Sequence, residues 1–203
     1  VNRSPIFEQT IRDYLDQIAT MDFPILAQRL GVRVDGEDLV IPFFDAPHRV
    51  SRHRIVGPSG RRPDHSTGVI LCKYLLLCPD HVPPQERWVS FKDFKDAAPF
   101  VGAYTETTEK AISRDFSGKA DSLAAAATGL GGGPLETDLP YTLCLQVPCL
   151  PRVPLFVLFD DVDDEFPARC SVLFEKRAEH YLDMECLAMA GMLLASHLRE
   201  ATG

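Results

Sequence analysis

Apolar residues return every three or four positions from Phe7 through Ile11, Tyr14/Leu15 and Ile18, the period of a helix with one buried face. Ser4-Pro5 supplies its start, because serine can accept from free helical amides and proline suits the first helical position. A second, shorter helix is predicted from Asp22 to Leu30, stopped at Gly31. The period then shortens. "VRVDGEDLVIPFF" turns at Asp35-Gly36, a tight-hairpin signal. "HRVSRHRIV" carries cationic side chains on both faces and reads as an edge strand.

After the turn-rich "GPSGRRPDHS" an apolar helix is predicted over Gly68 to Leu77, ended by Cys78-Pro79. Three prolines make "PDHVPPQERW" a loop. Phe100 to Phe116 reads as a helix with Phe100, Tyr104, Ala111 and Ile112 near one face, and "KADSLAAAATGLGGGPLETD" as a small-residue helix running into a flexible loop. Three strands follow. "YTLCLQV" alternates, "VPLFVLF" is apolar on both faces as a central strand is, and "ARCSVLF" returns from an acidic turn. Asp183 can cap a last helix, Met184 to Arg199, with Leu187, Ala190, Leu194 and Leu198 as its core-facing stripe.

Hairpin, helices, meander and helix together predict one α+β domain, with an antiparallel sheet of hairpin and meander strands covered by helices. Its parts are N-terminal helices over 1–31, a β-hairpin over 32–56, a helical middle over 66–130, and a meander plus C-terminal helix over 141–203. At 203 residues the chain can build its own core.

A net charge of −8 argues against nucleic acid as main partner, since neutralising phosphates needs a basic surface. The longest apolar run, Cys186 to Ala195, is too short for a membrane span of about 20 residues. Val1–Thr10 lacks the basic and apolar regions of a secretory signal, and an opening Val leaves room for a preceding segment. Six cysteines lie within apolar stretches and read as reduced, buried residues of a cytoplasmic protein.

Four stretches carry possible chemistry. Asp160, Asp161, Asp163, Asp164 and Glu165 crowd five carboxylates into six positions. Such a knot can hold a hard cation, or push its members' pKa values apart into acid and base; it is also what the wet tip of a hairpin looks like. Arg49, Arg52, Arg54, Arg61, Arg62 and His53 reverse the chain's sign locally and offer forks for an anionic ligand or an acidic partner. The plainer alternatives are a charged sheet edge, or an edge that faces the acidic knot within the fold or in a neighbouring subunit. Cys78 and His81, with Cys72 upstream, form C-x₅-C-x₂-H, a weak metal or thiolate pattern lacking a second pair. "TGLGGGPLETD" follows a helix and precedes a proline, so it reads as a mobile loop rather than a dinucleotide fingerprint. Trp88, in "RWVSF", reads as a core anchor.

The stretch from Pro148 to Leu198 resembles the ending of the domain of unknown function 3786 family. The residues that carry the likeness are Pro151 and Pro154, Asp164-Glu165-Phe166-Pro167, Leu173-Phe174 and Tyr181-Leu182. Gly31-Val32, "VILCKYLL" at 69–76 and "WVSFKDF" at 88–94 match upstream, whereas "KDAAPF" at 95–100 lacks the family's Leu-Pro-Gly-Gly element. The resemblance implies an uncharacterised domain of anaerobic bacteria and archaea, sometimes attached to an iron–sulfur domain, and brings no catalytic residues with it.

The expected function is therefore a non-catalytic domain binding a small anionic ligand or a protein partner, an iron–sulfur protein among the candidates, in anaerobic redox or one-carbon metabolism. A carboxylate-based or metal-dependent enzyme acting on an anion, and a structural assembly subunit, are the alternatives. A homo-oligomer is allowed, and no residue pattern names a cofactor.

Overall fold

The computed structural model describes residues 5–202, with side chains over 7–202, so the Ser4 cap lies outside the described residues. Helix α1 (Pro5–Ile18) leads to α2 (Phe23–Leu30). The Asp22 carboxylate accepts from the Ile25 amide at the start of α2, and Gly31 ends it at φ 70°. Both caps are the residues that sequence points to.

Two antiparallel sheets follow where one was expected. The first has the order β1 (Arg33–Asp35), β2 (Asp38–Phe43), β3 (Ala46–Val50), β4 (Ile55–Val56). The basic stretch is thus not one edge strand. Ser51–Arg54 folds it back, closed by the Ser51 amide on the Arg54 carbonyl at 3.0 Å, so β3 lies between β2 and β4. After α3 (His65–Leu76) comes the second sheet, ordered β5 (Trp88–Ser90), β9 (Arg169–Glu175), β8 (Val153–Asp160), β7 (Leu143–Leu150), β6 (Gly133–Pro134). Strand β8 is buried from Val153 to Phe159, as a central strand without a polar face must be. The glycine-rich loop is also corrected: Gly133 and Pro134 pair with Gln146 and Leu145 as the edge strand β6. Trp88 stands on β5, half-buried against Phe156.

One tie joins the sheets directly, and a second fastens the turn between β7 and β8 to α2 and α3. The Phe44 amide donates to the Cys149 carbonyl at 3.0 Å. Between β7 and β8, Arg152 donates from Nε to the Arg29 carbonyl at the end of α2, while its amide donates to the buried Tyr74 hydroxyl. The proline-flanked turn of the family resemblance is therefore a clamp on α2.

The predicted helix over 100–116 is interrupted. It runs as α4 (Val101–Tyr104), a π-helical turn (Thr105–Glu109) and α5 (Lys110–Asp115). Residues five apart point in different directions on a 3.6-residue helix, and the wider turn brings Tyr104 and Glu109 to one side. There the Tyr104 hydroxyl donates to the Val172 carbonyl and Glu109 accepts from the Val172 amide. They take over where β5 ends, at the Ser90–Leu173 pair. Helices α6 (Ala120–Gly129) and α7 (Met184–Glu200) complete the fold, with α7 packed against α3, α5, α6 and the π turn. Among the described residues no helix is long and apolar enough to cross a membrane.

Candidate functional site

The acidic knot is the loop between β8 and β9, whose last pair is Asp160–Arg169. Asp160, Asp161 and Asp163 border one hollow of about 260 Å³ with Arg169, and each is engaged by backbone amides. Asp160 accepts from the Thr142 amide. Asp161 accepts from the amides of Gly118, Val162 and Ala120, and so caps α6 from a distant part of the chain, where the N-cap residue Lys119 cannot. Asp163 accepts from the amides of Glu165 and Phe166, which lower its pKa. Asp164 and Glu165 are exposed. Among the described residues no group of three or more His, Cys, Asp or Glu side chains stands close enough to share a metal ion. Asp164→Asn with Glu165→Gln is therefore expected to leave the midpoint of thermal unfolding within a degree or so. Asp161→Ala should cost about 1–2 kcal/mol, the usual loss for a helix cap. A reversed order in melting experiments would show that the exposed pair, not the cap, holds the loop.

The basic stretch also divides. Arg49 reaches across β2 to Asp38 at 3.0 Å and to Asp35 beyond it. Arg52 donates to the Ala19 carbonyl and lies over the Phe23 ring at 4.8 Å. Both are fastened to the fold. His53 and Arg54 sit at the exposed turn between β3 and β4. No ion pair among the described residues joins this stretch to the acidic knot; its acidic partners are Asp35, Asp38 and Glu8. Arg52, His53 and Arg54 border one open hollow, and His53, Arg54 and Arg62 another, whereas Arg61 and Arg62 border a cleft that also holds the buried polar residues His48 and Thr67.

The cysteines follow burial. All six are unpaired, and Cys72, Cys149 and Cys186 are buried. Burial pushes the Cys72 thiol up to about 12 and raises the Cys78 thiol as well, the reverse of what a nucleophile needs. His81 is exposed on the loop beyond.

A cleft of more varied chemistry lies elsewhere. It holds about 370 Å³ between the β2–β3 hairpin, the 57–63 loop, the start of α3, and the C-terminal ends of α6 and α7. The hairpin turns on Phe44 and Asp45, both left-handed (φ 46° and 61°) in a two-residue connection that usually takes Asn-Gly. Each such residue costs on the order of 1 kcal/mol. The turn is held by the Phe44 amide on β7 and by burial of the Phe44 ring against Phe43 and His197.

Opposite, the Gly57 amide donates to the Arg61 carbonyl at 2.7 Å, closing a tight loop that returns Arg61 and Arg62 to the cleft. A Cβ on Gly57 would lie 3.3 Å from that carbonyl and 3.7 Å from the His48 ring, so glycine lets the loop lie on the histidine. Asp64 then caps α3, its two oxygens taken by the Thr67 amide and hydroxyl. On β3, His48 is 6 % exposed. Its Nδ1 lies 2.9 Å from the Ala46 carbonyl. Burial lowers its pKa, opposed by the Ala46 contact and by Asp64, so the ring is neutral at pH 7. His197, on α7, borders the same cleft against the edge of Phe44.

Charge along the sequence singles out Arg61 and Arg62 among six cations but not His48, His197 or the Phe44 turn. Alternation along β3 does point His48 inward, flanked by the outward Pro47 and Arg49. That was the one available signal.

No curated protein and no solved structure matches the chain. The family described as Domain of unknown function (DUF3786) does, over residues 22–197, a span that contains both sheets and every residue lining the cleft. The chain belongs to the DUF3786 family.

Proposed function

We propose that this is a non-catalytic binding domain whose ligand is a small organic anion, held in the cleft between the β2–β3 hairpin and the 57–63 loop. One observation carries the reading. In a chain of net charge −8, Arg61 and Arg62 border the same cleft as a buried neutral histidine, and Arg61 has no acidic partner among the described residues. A guanidinium left over from the fold's own ion pairs is available to a carboxylate or phosphate, which it holds by two parallel hydrogen bonds. Arg62 is shared with Glu8 at 3.4 Å, an exposed pair that a ligand can displace. Phe43, Phe44 and Leu130 supply the apolar wall that small-molecule sites usually have.

Six unpaired thiols fit a reducing, cytoplasmic setting. The family resemblance is what supports anaerobic redox or one-carbon metabolism as the context, with an iron–sulfur protein as the partner served.

The test uses 3-phenylpropionate, a carboxylate with an apolar body. Titrated into the labelled protein, it should shift the ring resonances of His48 and His197, and the affinity should fall as salt rises. Arg61→Ala with Arg62→Ala should weaken binding at least tenfold, whereas Asp164→Asn with Glu165→Gln should leave it unchanged. Equal affinity in the arginine double variant, or shifts that map to another surface, would remove the cleft from consideration.

A further inference from the structure

The imidazole of His48 restricts which anions the cleft can hold, an argument that rests on the cleft being the ligand site proposed above. A carbonyl only accepts hydrogen bonds, so the 2.9 Å contact with Ala46 places the ring proton on Nδ1 and leaves a lone pair on Nε2. Among the described residues no protein group donates to that nitrogen. The ring is held in place by the strand, by the Phe43 ring at 5.9 Å and by the Gly57 backbone. It therefore cannot swing out to find a donor in open solvent.

Arg61 and Arg62 impose the complementary demand, because guanidinium groups only donate. The cleft thus presents two arginine donors, one acceptor held in place and an apolar wall. Asp64, which borders the cleft, has its oxygens taken by Thr67, and the acid that meets the arginines is Glu8, in the exposed pair with Arg62.

We propose that the cleft selects an organic anion that also bears a hydroxyl group, the class of the hydroxy acids. The anionic group lies on Arg61 and Arg62, the hydroxyl donates to His48 Nε2, and the carbon skeleton rests against Phe44 and Leu130. An anion without a hydroxyl takes the same arginines but strips Nε2 of its water and gives nothing back. Sites built around a hydrogen-bonding group discriminate against ligands lacking the partner for that reason.

The experiment compares 3-phenyllactate with 3-phenylpropionate, which differ by one hydroxyl, using calorimetry and the ¹⁵N resonances of the imidazole. Phenyllactate is expected to bind at least tenfold tighter. The His48 Nε2 signal should show an unprotonated nitrogen in the free protein, and the shift of a nitrogen that accepts a hydrogen bond should appear with phenyllactate and not with phenylpropionate. His48→Leu should bring the two affinities together while keeping phenylpropionate binding. Should that variant fail to fold, the imidazole spectrum of the native protein decides alone: a protonated Nε2 in the free state overturns the proposal. Equal affinities for the two acids would also overturn it, leaving the cleft as an anion site without this selectivity. Binding of neither acid would overturn the selectivity and the anion site together.

Discussion

Gly191→Ala is expected to lower stability by about 2 kcal/mol, although alanine is the better helix former by roughly 1 kcal/mol. Gly191 is buried in the middle of α7, where that helix crosses the interrupted helix over 101–115. A Cβ there would stand 2.5 Å from Tyr104 Cε2, 2.9 Å from Thr108 Oγ1 and 3.1 Å from Thr108 Cγ2. Neither neighbour can withdraw easily. Tyr104 is 2 % exposed, stacks on Phe91 at 4.4 Å and donates its hydroxyl to Val172. Thr108 is fully buried inside the π turn. The helices must separate, and overpacking of this kind costs 1–3 kcal/mol beyond the propensity gained. For a chain of this size 2 kcal/mol corresponds to a fall of roughly 4–8 °C in Tm. Gly102→Ala is the control: it lies in α4, with nothing within 4 Å of an added Cβ, and should raise stability slightly. If both variants gain, α7 and the π turn are further apart than the geometry requires.

The same crossing shows what sequence can and cannot reveal. Gly191 interrupts a clean apolar stripe, and nothing local says that an aromatic ring 87 positions earlier needs the space. Caps are different. Asp22, Gly31 and Asp183 act within three or four residues of themselves, so the sequence displays them fully. Long apolar strands such as β8 announce their own burial. Strands of two or three residues, β5 and β6, exist only because a longer neighbour offers a partner, and no local period marks them. The candidate site failed to show for a related reason. Charge density is a local property, so the acidic knot and the arginine stretch stood out, yet convergence is not local. Cleft residues come from 43–67, 129–130 and 197, and the buried His48 stands beside a run of exposed cations from which nothing local separates it.

Arg177→Met should prove the more damaging substitution, with an expected loss of about 3–5 kcal/mol. Glu175 ends β9, and Arg177 follows in the short 3₁₀ segment Lys176–His180. Their side chains are 8 % and 7 % exposed, with Arg177 Nε 2.5 Å from Glu175 Oε2, off-axis for a hydrogen bond. The attraction is therefore largely charge on charge. Arg177 also donates to the Pro83 carbonyl at 3.3 Å, and the Lys176 amide to the Arg87 carbonyl, so this corner fastens the proline-rich loop onto the second sheet. Methionine fills the volume but abandons a buried carboxylate and a loop carbonyl. An ion pair in this position need not stabilise the fold relative to an apolar pair, whereas half of one is costly. The double variant Glu175→Gln with Arg177→Met should accordingly recover much of the loss, and a chemical-denaturation cycle should yield a coupling of about 2 kcal/mol or more. Additive single losses, or an Arg177→Met variant within about 1 kcal/mol of the native protein, would mean that water reaches Glu175 and the charge is solvated where it lies. Arg177, like Arg49 and Arg52, belongs to the fold's own electrostatics, whereas Arg61 borders the cleft without an acidic partner among the described residues, which is why it is the one to test for a ligand.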